Sequence, residues 1–84
     1  MNLFVSNISR TVKDDALQAL FSQFGEVTSV KIVSDKYSGE SKGYGFVEMR
    51  DDNQALEAIK KLSNAHFFGR NLVVSKARPK TTVY

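Results

Sequence analysis

The stretch Lys42-Gly43-Tyr44-Gly45-Phe46-Val47-Glu48-Met49 alternates with the period of a β-strand. Tyr44, Phe46 and Glu48 share one parity, and Gly43, Gly45, Val47 and Met49 share the other. Successive side chains of a strand point to opposite faces. Val47 and Met49 therefore mark a face that packs into a core, with Gly43 and Gly45 expected to keep the strand slim beneath whatever covers it. The opposite face carries two rings side by side with Lys42 at one end. Large rings on an open surface need something to cover them.

Working outward, the flanking sequence builds a small α+β domain around this strand. Leu3 to Ile8 reads as a first strand, with Leu3 and Val5 on one face and Phe4 and Ser6 on the other; Asn7 begins its exit turn. Thr11 is a candidate N-cap for a helix whose first turn holds Asp14 and Asp15. Leu17, Leu20, Phe21 and Phe24 follow at helical spacing, and Gly25 stands at the expected C-cap. Val27 to Ser34 reads as a second strand, with Val30 and Ile32 inward and Lys31 and Val33 outward. Asp35 to Ser41 is a polar hairpin loop carrying Gly39.

After the opening stretch, Asp51, Asp52 and Asn53 supply caps for a second helix. Its apolar stripe is Ala55, Ala58, Ile59 and Leu62, and Lys60 and Lys61 suit its negative end. Ser63 to Gly69 reads as a connection. Asn71 to Ala77 alternates again, with Leu72 and Val74 inward and Val73 and Ser75 outward, and Pro79 ends regular pairing. The order β-α-β-β-α-β predicts a ferredoxin-like sandwich, two helices on one face of a four-stranded antiparallel sheet. The face left open collects Phe4, Ser6, Lys31, Val33, Tyr44, Phe46, Glu48, Val73 and Ser75.

Composition narrows the function. Eighty-four residues make one small domain, read here as residues 1–78 with a short basic tail over 79–84. The chain has no cysteine, which removes disulfides, thiolate metal sites and cysteine nucleophiles. No apolar run approaches the ~20 residues of a membrane span. Met1-Asn2 leads straight into the first strand and leaves no room for a signal peptide, so a cytoplasmic setting is the expectation. The formal charge is +3. Lys76, Arg78 and Lys80 carry that excess, because without them nine basic residues balance nine acidic ones. A basic end beside a neutral body suits a polyanion, and it also suits a solubilising tail. His66 is the only histidine and has no carboxylate cluster near it in sequence. No catalytic triad, paired-carboxylate site or metal constellation can be assembled, so neither enzyme chemistry nor a cofactor or metal is expected.

Phe4, Tyr44 and Phe46 form a platform that a single-stranded nucleic acid would cover well, since every base has a flat π-face. Lys42, Lys31 and the closing cations are placed to meet phosphates. At these residues the chain resembles a known family. Lys42 to Met49 is similar to the octapeptide signature of the RNA recognition motif, departing only at Met49, where an aromatic residue is usual. Leu3 to Ile8 resembles the companion hexapeptide of that family's first strand, at the usual separation. The closing Val74 to Pro79 is similar to the ends of short bacterial proteins built from one such domain.

The resemblance implies that Phe4 and Tyr44 stack on bases and that Phe46 packs against sugars or between neighbouring nucleotides. It implies that Lys42 meets backbone phosphate and that Asn7 shapes the strand exit and reaches a base. Lys31, Lys76 and Arg78 complete the expected RNA-binding set. The expectation is a monomeric, non-enzymatic protein that binds about two to four unpaired nucleotides of RNA. Its expected role is that of a post-transcriptional regulator or RNA chaperone-like binder. A protein-interaction module using the same face and a single-stranded DNA binder are the alternatives. Tyr84 as a further stacking ring, and Glu48 as an acceptor from a base amino group or a plain rim residue, stay open at this stage.

Overall fold

The computed structural model describes residues 1–77; the expectations for Arg78, Pro79, Lys80 and Tyr84 fall outside the described residues. Among the described residues eight elements run in order: β1 (Asn2–Ser6), α1 (Asp14–Ser22), β2 (Val27–Ser34), β3 (Ser41–Met49), α2 (Asp52–Leu62), β4 (His66–Phe67), β5 (Arg70–Asn71) and β6 (Val73–Lys76). The main sheet is antiparallel in the order β2-β3-β1-β6. The two helices cover one face of it, as the element order predicts.

One parity of each central strand makes the core. Leu3 and Val5 of β1, Val47 and Met49 of β3, and Val74 of β6 are buried, together with Leu72 just before β6. Leu17 and Phe21 of α1 and Ala55, Ala58 and Leu62 of α2 close over them. Ile8 and Val12, in the connector after β1, seal one end of this layer. Nine residues are too few for a helix to stand alone in water. Burying Leu17 and Phe21, at about 1.5–3 kcal/mol each, is what holds α1 in place.

The helix ends differ in how far they follow the sequence. At α2, Asp51 is the N-cap and its carboxylate accepts from Gln54 N at 3.1 Å, with Lys60 and Lys61 in the last turn. At α1 the N-cap is Lys13, which makes no side-chain cap bond. Thr11 does not cap this helix; its hydroxyl lies 3.0 Å from the Ser9 hydroxyl instead. Asp14 accepts from Ile32 N at 3.3 Å, tying the start of α1 to β2. Gly25 lies two residues past the C-cap, Gln23, and its role is steric. A Cβ there would stand 2.0 Å from Gln54 Oε1 and 2.8 Å from Gln54 Cβ.

The glycines of β3 answer to the sheet rather than to the helices. A Cβ at Gly45 would stand 2.5 Å from Lys31 O and 2.8 Å from Ile32 Cα, both backbone atoms of β2. The register of β2 against β3 shifts between Ile32 and Ser34, so Val33 has no partner across β3 and is half-buried in this irregularity. Gly43 has φ 85, in the left-handed region that L-residues avoid, and its carbonyl accepts from Ile8 N at 2.8 Å.

The segment read as a plain connection after α2 contains a two-stranded ribbon, β4 paired with β5. Phe68 and Gly69 form its turn with φ 52 and 84, positive at both positions as a two-residue hairpin turn requires. Holding Phe68 there costs about 1–2 kcal/mol. Its edge contact with Phe67, centroids 4.7 Å apart, offsets about 0.5–1.5 kcal/mol of that. The last sheet strand consequently starts at Val73, two residues later than the alternation suggests.

Gly45→Ala forces the β2 backbone away from β3 and is expected to destabilise the fold by about 2 kcal/mol. Urea unfolding measures this directly, and an unchanged midpoint contradicts the close approach.

Candidate nucleic-acid interface

The sheet register places the outward residues on a grid. One row runs across all four strands as Lys31, Phe46, Phe4 and Ser75. The next row holds Tyr44, Ser6 and Val73. The row on the other side holds Ser29, Glu48 and Asn2. Neighbouring strands lie about 4.8 Å apart and alternate residues about 6.8 Å apart along a strand.

Phe4 is the hub of this grid. Its ring centroid lies 5.5 Å from Phe46, tilted by 53°, and 5.8 Å from Tyr44, tilted by 43°. The helices cover none of the three rings, because they sit on the opposite parity. Phe46 remains 43% exposed despite its neighbour, whereas Phe4 and Tyr44 are half-buried. Of the expected RNA-binding residues, Phe4 meets both Phe46 and Tyr44 on this face, with Lys31 beside Phe46 on β2 and Lys42 one alternate residue beyond Tyr44. Lys76 flanks a shallow hollow beside Phe4 and Phe46 that Ser75 and Ala77 also line. Met49, where the octapeptide departs from its pattern, is fully buried and takes no part.

Asn7 has φ 58, a left-handed conformation that a short polar side chain tolerates. Both ends of its amide are engaged. Nδ2 donates to Asn71 O at 2.7 Å, and Oδ1 accepts from Arg70 Nε at 3.1 Å. Standing at the exit of β1, it ties that turn to the β4–β5 ribbon. His66, the lone histidine, faces Asn71 Oδ1 at 3.2 Å within the same ribbon.

Two cations at this end were not singled out from sequence. Arg10 and Arg70 join Lys42, Tyr44, Phe4 and Asn7 around one hollow at the edge of the ring platform. The alternation that marks the last strand begins at Asn71 and leaves Arg70 in a connection. Arg10 sits in a loop with no periodicity to betray it. Gly69 before Arg70 was the available signal, since a glycine at a tight turn implies a ribbon there.

Charge is unevenly placed. The cations Lys31, Lys42, Lys76, Arg10 and Arg70 border the open face, and Glu48 is the sole acid on its grid. Among the described residues the Glu48 carboxylate has no ion-pair or hydrogen-bond partner; Thr28 binds only its backbone carbonyl. Asp14, Asp51, Asp52 and Glu57 belong to the helical layer and its caps, where Glu57 pairs with Lys61. Tyr37 projects from the β2–β3 loop, 90% exposed, with Lys36 Nζ 5.5 Å from its ring centre. Among the described residues no group of three or more His, Cys, Asp or Glu could hold a metal ion. No helix among them is long and apolar enough to cross a membrane.

Comparison with known proteins matches these features to one family. Residues 3–73 match the family described as RNA recognition motif. RbpE of Nostoc sp., whose name proposes RNA binding, is 41% identical over 80 residues, 95% of this chain and 81% of that protein. A solved structure titled as RNA Binding Protein PG1 superposes with a TM-score of 0.90 at 43% identity, covering 95% of this chain and 99% of that one. The protein of a Sxl-lethal protein/RNA complex also superposes with a TM-score of 0.90, at 34% identity over 95% of this chain and 48% of that one. With both signature stretches on the central strands and the match running from β1 to the start of β6, the chain belongs to the RNA recognition motif family.

Proposed function

We propose that the open sheet face binds single-stranded RNA by stacking bases on its rings, without catalysis, as a post-transcriptional regulator or RNA chaperone-like monomer. The observation that carries this reading is the cluster in which Phe4 meets both Phe46 and Tyr44 on the face of the sheet opposite the helices, bordered by cations. A duplex hides its base faces, so the ligand has to be unpaired. The identity to the protein of the Sxl-lethal protein/RNA complex and the name of RbpE point the same way.

Exposure refines the division of labour among the rings. The resemblance assigns base stacking to Phe4 and Tyr44, with Phe46 against sugars. Phe46 is the more exposed ring of β3 and lies in the same cross-strand row as Phe4. That favours Phe4 and Phe46 as the two base platforms and Tyr44, one row away and half-buried, as the ring that meets the sugars. Each stacked base contributes about 1–3 kcal/mol. The flanking Lys31, Lys42 and Lys76 supply a phosphate attraction that salt weakens. Asn7, which commits one donor and one acceptor of its amide to Asn71 and Arg70, supports the edge of this surface.

Titration of a short random-sequence RNA pool, with a matched DNA pool, tests the reading. Phe4→Ala and Phe46→Ala are each expected to weaken RNA binding about tenfold or more. Both are expected to leave the fold intact, because neither ring belongs to the core. If wild type binds RNA and both variants bind equally well, the stacking mechanism is wrong. Tighter binding to the DNA pool would transfer the function to single-stranded DNA.

Lys42→Ala is expected to lower affinity across all sequences and to flatten the dependence of log K on log salt by about 0.7, the value for one phosphate contact on a single strand. An unchanged slope removes Lys42 from the phosphate role.

A further inference from the structure

The bracket formed by Asn7 has a consequence at its far end. Its Oδ1 holds Arg70 by Nε, which fixes the plane of the guanidinium and leaves the Nη edge uncommitted. That edge has no hydrogen bond or ion pair among the described residues. Arg70 borders the hollow shared with Arg10, Lys42, Tyr44 and Ser6, and no acid lines it. Among the described residues the one acid paired with any of the three cations is Glu40, 3.9 Å from Arg10, and both side chains are largely exposed. Such a contact is screened by solvent and readily exchanged. Three cations that border one hollow, offset by this single exposed contact, favour the entry of an anion. A guanidinium held in plane presents parallel N–H groups that match two oxygens of one phosphate.

We propose that this hollow is a phosphate-binding subsite. Arg70 is its positioned fork, Arg10 and Lys42 flank it, and Asn7 is the residue that holds the fork in place. The inference rests on the RNA reading of the sheet and extends it past Tyr44, beyond the grid itself. The group bound is a phosphate of the strand, either an internal phosphodiester or a terminal phosphate.

Random-sequence RNA pools bearing a 5′-phosphate, a 3′-phosphate or neither distinguish these sources when titrated against wild type, Arg70→Gln, Arg70→Lys and Asn7→Ala. Arg70→Gln is expected to weaken binding about tenfold and to flatten the salt dependence by about 0.7. Arg70→Lys keeps the charge, so the salt slope is expected to return while affinity stays several-fold below wild type. Asn7→Ala is expected to behave like Arg70→Lys, with the charge present but unheld. A thermal melt reports whether Asn7→Ala folds, and the Arg70 variants carry the test if it does not. Equal losses in all three pools assign the site to an internal phosphodiester. A loss confined to one phosphorylated pool assigns it to that terminus.

If the Arg70 variants bind every pool like wild type while Phe4→Ala fails, the subsite is overturned and the sheet reading stands. If wild type binds no pool, the sheet reading falls. The hollow is then judged alone, by titrating inorganic pyrophosphate while observing the arginine Nε–H signals by NMR. A shift of the Arg70 signal in wild type that Asn7→Ala loses supports the site, and no shift overturns it.

Discussion

The pairing of β1 with β3, with Leu3 opposite Val47 and Phe4 opposite Phe46, is the constraint on which the rest of the structure depends. A slip of one residue would turn every side chain of β1 to the other face. Leu3 and Val5 would leave the core, and Phe4 would be driven beneath the helices. Burial on one side therefore locks the position of the rings on the other. The hydrophobic core that makes the domain stable is also what holds the aromatic surface in register.

Weak net charge is compatible with a charged surface because the fold sorts its charges. Helix caps and first turns take Asp14, Asp15, Asp51 and Asp52, where the amide dipoles favour them. Much of the positive charge borders the opposite layer. A formal charge of +3 would hardly distinguish this chain from many soluble domains. The sorted arrangement sets cations at the margins of the ring platform, while the middle of the sheet carries the rings. Under the proposed function, division of this kind has electrostatics draw a polyanion in and flat apolar contact hold it.

Most of the fold was legible in the sequence because period-2 and period-3.6 patterns are strong where one face is buried. Leu17, Phe21, Val47, Met49 and Leu72 all take the places their spacing implies. The ring platform was legible for the same reason, as the parity left over once the core was filled. What escaped depends on contacts between distant segments. Thr11 satisfied the composition of a cap, but the chain enters α1 two residues later. Gly45 gave no sign that the β2 backbone presses against it, because an inward glycine looks the same under a helix as beside a bulge. The ribbon at His66 to Asn71 is too short to show a period, and with it went Arg70. The bond from Asn7 to Arg70 joins residues 63 positions apart, which no local pattern encodes.

The glycines and buried residues of β3 also bear on how such a surface can change over time. Along this strand one parity is closed to substitution: Gly43 by its backbone conformation, Gly45 by the neighbouring strand, Val47 and Met49 by burial. The other parity, Lys42, Tyr44, Phe46 and Glu48, faces only its own side of the sheet. The strand therefore separates what must be conserved for folding from what is free to vary for recognition, residue by residue. New ligand preferences can be written on alternate positions without reopening the problem of how the domain folds.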